Sequence, residues 1–201
     1  MQRGDADWRA ALRCKIGTSD AKAGLAAAGT ARRNALVERL VLDAEGIDNH
    51  RYEQPDPWEA AHEIQLRQAV AAYRTAFPSA GLATAPTLIV SPAFPWLVAT
   101  PHALTDKAVV LFRIRQKLIT WRTKKGGLTR AERAKAMLLA WVCARDFVEL
   151  VDFWSGEAAV DDRLAITVLE ADEGWLFEVV VPKLLAVWSA VQRRLDSRSR
   201  R

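Results

Sequence analysis

A chain of 201 residues, half of them apolar and eight of them tryptophan, is long enough to bury one core and suits a single domain. Two cysteines, Cys14 and Cys143, are too few for a disulfide framework and do not form a close metal-ligand pair. The formal charge of +5 is uneven: the tail from Arg193 carries five arginines against Asp196, a net +4, and leaves the body near neutral.

The opening MQRGDADWRA has no signal-peptide core, and no apolar run reaches the ~18 residues of a membrane span. The expectation is a cytoplasmic, reducing setting with no membrane partner. Three helical pieces come first: Asp5 to Cys14, Ser19 to Ala28 with Ser19 able to cap it, and Asn34 to Ala44 with Leu36, Val37, Leu40 and Val41 at helical spacing. The polar EGIDNHRYEQPDP reads as a loop. Trp58 to Phe77 is a long helix with Pro57 near its start, an inward stripe of Ala61, Ile64, Ala69 and Ala72, and a stop before Pro78.

The middle changes character. TLIV, WLVAT, AVVLFRIR and KLITW are short, β-branched and apolar, as strands are. Thr129 to Val142 returns to helix, with Thr129 and Glu132 forming a capping box. DFVELVDFW and RLAITVLE are two more strands. A final helix over Ala171 to Arg194 turns Trp175, Val179, Leu184 and Trp188 inward, with a kink expected at Pro182. This order gives an α/β domain with a mixed central sheet flanked by helices, over residues 1–192, and a basic, disordered tail at 193–201. The tail is read either as a frayed helix end or as an arm for nucleic-acid phosphates.

A metal ion that cleaves phosphodiesters needs hard oxygen ligands on rigid elements. One solution places an acid at the start of a hairpin and an acid and a lysine two residues apart on its second strand. Residues i and i+2 of a strand face one side, so both reach the metal and its water. The stretch SPAFPWLVATPHALTDKAVVLFRIRQK resembles that hairpin in the YqaJ-type viral recombinase nucleases, the phage lambda exonuclease-like family, through Pro92, Pro95, Trp96, Ala99, Thr100, Pro101 and Leu104. WRAALRCKIGTSDAKAGL resembles the family's opening motif, and WEAAHEIQLRQAVAAY its glutamate-bearing helix, with Glu63 on the glutamate. RAERAKAMLLAWVCARDFVELVDFW and ADEGWLFEVVVPKLLAVWSAV resemble its downstream segments. Five pieces in the family's order imply its restriction-endonuclease-like fold and DNA as a partner.

The departures fall on the chemistry. His102 stands where the family has its hairpin acid, and Arg113 and Arg115 stand on the glutamate–lysine pair. The family's helix glutamine is Glu132 here. Of the acids that hold metal, Glu63 alone is kept. Two guanidiniums repel a divalent cation, and one imidazole is a poor ligand for Mg²⁺. Arg113 is read as the ion-pair partner of a buried Glu63, ahead of a role in gripping phosphate. Arg115 stays open between the two. Asp106 is a weak substitute ligand. The resemblance also associates Arg13, Thr18 and Ser19 with a 5′-phosphate, consistent with an anion at a helix start. An ordinary capped helix explains them equally well.

His50 and His62 are not at metal spacing with each other or with a cysteine. The tryptophans at 141, 154, 175 and 188 read as packing. Trp121, Arg122, Lys124 and Lys125 form a basic loop with an aromatic, read as a solvated turn ahead of a nucleic-acid contact. The leading expectation is an inactive nuclease-fold protein with no cofactor, binding DNA, DNA ends, a protein partner or further copies of itself. One alternative is an active Mg²⁺- or Mn²⁺-dependent exonuclease rewired onto Glu63, Asp106, and Glu132 or His102. Another is a structural or interaction protein that reuses the fold.

Overall fold

The computed structural model describes residues 10–47, 57–84, 88–115, 127–156 and 163–200. Its elements in chain order are β1 (Ile16–Gly17), α1 (Ala21–Gly24), α2 (Ala31–Ala44), α3 (Pro57–Ala76), β2 (Ile89–Val90), β3 (Leu97–Ala99), β4 (Ala103–Leu104), β5 (Ala108–Arg115), α4 (Arg130–Val142), β6 (Phe147–Trp154) and β7 (Leu164–Glu170). The C-terminal helix α5 is a turn at Glu173–Trp175, a π-helical turn at Leu176–Val180 and a long run at Val181–Ser199. The main sheet has the order β4-β5-β6-β7, with β5 and β6 parallel and both outer pairs antiparallel. A parallel pair needs a crossover, and α4 supplies it.

AVVLFRIR and FVELVDFW are apolar on both faces because helices cover both. Val109, Leu111, Val148 and Leu150 face the larger cluster with α2, α4 and α5. Val110, Phe112, Val151 and Phe153 face a smaller one beneath Ala69, Ala72 and Tyr73 of α3. The mixed sheet and its flanking helices follow the expected class. Two details differ. TLIV and WLVAT contribute to a separate three-stranded sheet, β1-β3-β2, whose β1 falls in a stretch where the sequence suggests no strand. KLITW lies outside the described residues.

The helices also depart from expectation in places. Ala69 and Ala72 of the expected α3 stripe are buried, joined by Tyr73, but Ile64 is 60% exposed. The second helical piece shrinks to α1, which presses so closely on α5 that a Cβ on Gly24 would sit 2.3 Å from Leu184 Cδ2. In α5 the irregularity precedes Pro182: the wide turn at 176–180 absorbs the hydrogen bond that proline cannot donate. Glu173–Ser199 is long and apolar enough to cross a membrane, a test core helices also pass, and its Leu176, Val180, Leu184, Val187 and Val191 are buried against the rest of the chain.

Helix α5 continues to Ser199, because Arg194 and Arg198 find carboxylates at Glu38, on α2, and Glu45, at its end.

Candidate functional site

At the carboxyl ends of β5 and β6 the face that carried leucines turns charged. Arg113 and Arg115 follow Leu111 at two-residue steps, and Asp152 follows Leu150; the register sets Arg113 beside Asp152. Such strand ends are where open α/β sheets place ligands. Asp152 is fully buried, and both arginines hold it: Arg113 Nη2 donates to Oδ2, and Arg115 Nε donates to Oδ1 at 2.8 Å. Arg113 Nη1 also donates to the Gly127 carbonyl at 2.7 Å and lies 3.7 Å from Glu132 Oε1. The Arg113 side chain is only 12% exposed, and its buried Nε has no hydrogen-bond partner among the described residues. A buried carboxylate requires such partners.

The expected Glu63–Arg113 pair is therefore corrected. Glu63 points to solvent from α3 and accepts from Arg67 Nη2 at 2.6 Å, one helical turn away. Its exposure removes the need for a buried counterion, and Asp152 claims Arg113 instead. His102 sits just before β4 and satisfies the backbone there. The Phe112 N–H donates to its Nδ1 at 3.1 Å, with the two rings stacked. Asp106 occupies the exposed turn between β4 and β5, where Thr105 and Ala108 bond each other. Arg113 lies seven positions further along the chain, roughly 20 Å at the usual strand rise.

The donor set does not fit a divalent ion in the family manner. His102 is engaged with the backbone, both strand positions carry guanidiniums, and Glu63 faces away. Among the described residues no three of His, Cys, Asp and Glu converge as a ligand group.

Glu132 links the arginines to a neighbouring cleft. That cleft, of about 440 Å³, is lined by Ser19, Ala21, Lys22, Thr129, Ala131, Glu132 and Lys135. Thr129 and Glu132 form the expected capping box, with reciprocal bonds of 2.8 and 3.2 Å. Of the three opening-motif residues, Ser19 alone reaches the cleft. Thr18 is buried, and Arg13 is exposed outside the lining. Ser19 does not cap its helix: it sits inside a 3-10 turn, Thr18–Asp20, and the N-cap position of α1 falls to Asp20, whose carboxylate accepts the Gly17 N–H at 3.0 Å and is held by Arg39 at 2.8 Å. Sequence reasoning misses Lys22 and Lys135; their signal is helical spacing, which turns each toward the same cleft. Arg122, Lys124 and Lys125 lie outside the described residues.

Two predictions arise here. His102→Ala strands the N–H of Phe112, a residue only 3% exposed, and will cost about 1–3 kcal/mol in urea unfolding; a loss under ~0.5 kcal/mol would show that this bond does not matter. The second concerns pH. Burial pushes the Glu132 carboxyl up, but its backbone and side-chain hydrogen bonds with Thr129 and the charges of Arg113 and Arg115 outweigh that and hold it low. A lowered folded pKa contributes stability above the unfolded value of about 4.3, lost as pH falls through the folded one. Glu132→Gln will flatten the acid limb of the stability–pH curve below about pH 4.3 while sparing pH 7 dependence. An unchanged acid limb would contradict this.

No protein-family profile and no curated protein sequence matches the chain. Solved structures do. An alkaline exonuclease from Laribacter hongkongensis, LHK-Exo, superposes with a TM-score of 0.78 at 18% identity, covering 98% of this chain and 97% of that one. The architecture is the lambda-exonuclease-like fold. LHK-Exo in complex with dAMP gives a TM-score of 0.74 at 18% identity over 98% and 97% of the two chains. A phage related exonuclease from Haemophilus somnus 129PT gives 0.67 at 9% identity over 91% and 96%. At such identities the exonuclease fold is shared architecture, and the chemistry rests on the side chains just described.

Proposed function

We propose that this chain is a catalytically degenerate exonuclease-fold protein, of the YqaJ-type recombinase group, that binds DNA or DNA ends without cutting them. The observation that carries this reading is the Arg113–Asp152–Arg115 cluster. It sets two positive charges on one buried carboxylate at the strand end where the family resemblance places the metal-binding glutamate and the lysine. A guanidinium cannot surrender its charge, and so cannot act as a ligand or as a general base. The one family acid that remains, Glu63, is engaged by Arg67 at the surface. The alternative of a site rewired onto Glu63, Asp106, and Glu132 or His102 gains no support from this geometry: Glu63, Asp106 and His102 lie in separate local settings, and Glu132 is engaged by Thr129 beside a guanidinium.

DNA is the proposed partner on two grounds: the shared fold, and the cleft that sets Ser19, Lys22 and Lys135 beside the arginine cluster. Phosphate oxygens suit such a mix of hydroxyl and ammonium donors. The protein is incubated with linear, 5′-phosphorylated duplex DNA in Mg²⁺, in Mn²⁺ and in EDTA, scoring both digestion and retention. The proposal expects salt-sensitive binding that EDTA leaves intact, and no shortening of the DNA. Digestion that needs the metal and disappears in Glu63→Ala would overturn it.

A further inference from the structure

The last turns of α5 and its C-cap carry Arg193, Arg194, Arg198 and Arg200 against Asp196. Among the described residues, two of these arginines are held by carboxylates and two are not. Arg194 Nη1 donates to Glu38 Oε2 at 2.6 Å, and Arg198 reaches Glu38 at 2.9 Å and Glu45 at 2.6 Å. Arg193, within the helix, and Arg200, at its C-cap, are both exposed, and neither makes an ion pair among the described residues. Cations in a final helical turn offset the helix dipole, which accounts for one or two of the four. It does not account for two carboxylates, on α2 and at its end, aligned with Arg194 and Arg198.

We infer that this arginine face is a second contact for the DNA phosphate backbone, and that Glu38 and Glu45 compete with phosphate for Arg194 and Arg198. The inference rests on the DNA-binding reading above. Its physics is an exchange of partners. Both sides of the ion pairs to Glu38 are substantially exposed, and exposed pairs are weak and screened by salt. A guanidinium fork fits a phosphate as well as a carboxylate, and each phosphate neutralised releases counterions. Arg193 and Arg200 give the first encounter, and Arg194 and Arg198 follow once they leave α2. The two acids thus set how much DNA, or how little salt, is needed to engage the helix.

Binding of the full-length protein to a fluorescent linear duplex, followed over a salt series, tests this. E38Q/E45Q is expected to bind roughly three- to tenfold more tightly, with a salt slope steeper by about two phosphate contacts. R193Q/R200Q, which disturbs no ion pair described above, is expected to bind several-fold more weakly than wild type. If wild type binds the duplex and E38Q/E45Q binds no better, the competition is wrong while the DNA-binding reading stands. If R193Q/R200Q binds as wild type does, the arginine face is not a DNA contact. If neither wild type nor E38Q/E45Q binds even at low salt, both readings fall. A gain by E38Q/E45Q on anionic vesicles without one on the duplex also overturns the assignment to DNA.

Discussion

Asp152→Ala will cost about 3–5 kcal/mol of folding stability, the usual loss on breaking a buried ion pair from one side. Asp152 has no exposed surface, and the side chains of Arg113 and Arg115 are 12% and 16% exposed. Without the carboxylate, two guanidiniums remain in a poorly solvated space with Glu132, 3.7 Å from Arg113, as the other acid paired with Arg113 among the described residues. The strain falls where β5 and β6 end and where Gly127 is tied to the sheet through Arg113. Equilibrium urea unfolding measures the loss. The triple replacement Arg113→Met, Arg115→Leu and Asp152→Leu should recover most of it, because an apolar trio of similar volume avoids the desolvation that the charges undergo. A loss below ~1 kcal/mol for Asp152→Ala would mean that the cluster is solvated, contrary to its burial.

Phe153→Ala comes next, at about 3–5 kcal/mol. Phe153 is fully buried in the smaller cluster, with the Arg163 guanidinium 4.5 Å above its ring. That cluster is what seats α3 on the sheet through Ala69, Ala72 and Tyr73. Removing its large aromatic leaves a cavity under one helix and spares the larger core on the other face. Hydrogen exchange should therefore accelerate in α3 well before it does in α4. Uniform acceleration throughout the chain would show that the two clusters unfold as a unit.

How much is legible in the sequence depends on the range of the interaction. AVVLFRIR announces β5 through its β-branched run, and Thr129 with Glu132 announces the start of α4, because each signal is complete within a few residues. The partner of Arg113 is not legible in that way. Asp152 lies 39 residues on, and only the register of β5 against β6 brings it alongside. A hint is present: in FVELVDFW the aspartate shares its parity with Val148 and Leu150, so it must face the core and need a cation. Glu63 misleads for a similar reason. Its place in the family resemblance points inward, but Arg67 one turn later marks an outward face. The C-terminal arginines read as a solvated tail because Glu38 and Glu45, more than 150 residues away, leave no local trace of holding them.

The most direct measurement is calorimetric titration of the full-length protein with Mn²⁺, at neutral pH and moderate salt. With guanidiniums on the buried Asp152 carboxylate at the strand end, no saturable, stoichiometric heat should appear, and Mn²⁺ should leave the melting temperature unchanged. One tightly bound Mn²⁺ per chain, lost on Glu63→Ala or Asp152→Asn, would contradict the central claim that arginines have taken the metal's place.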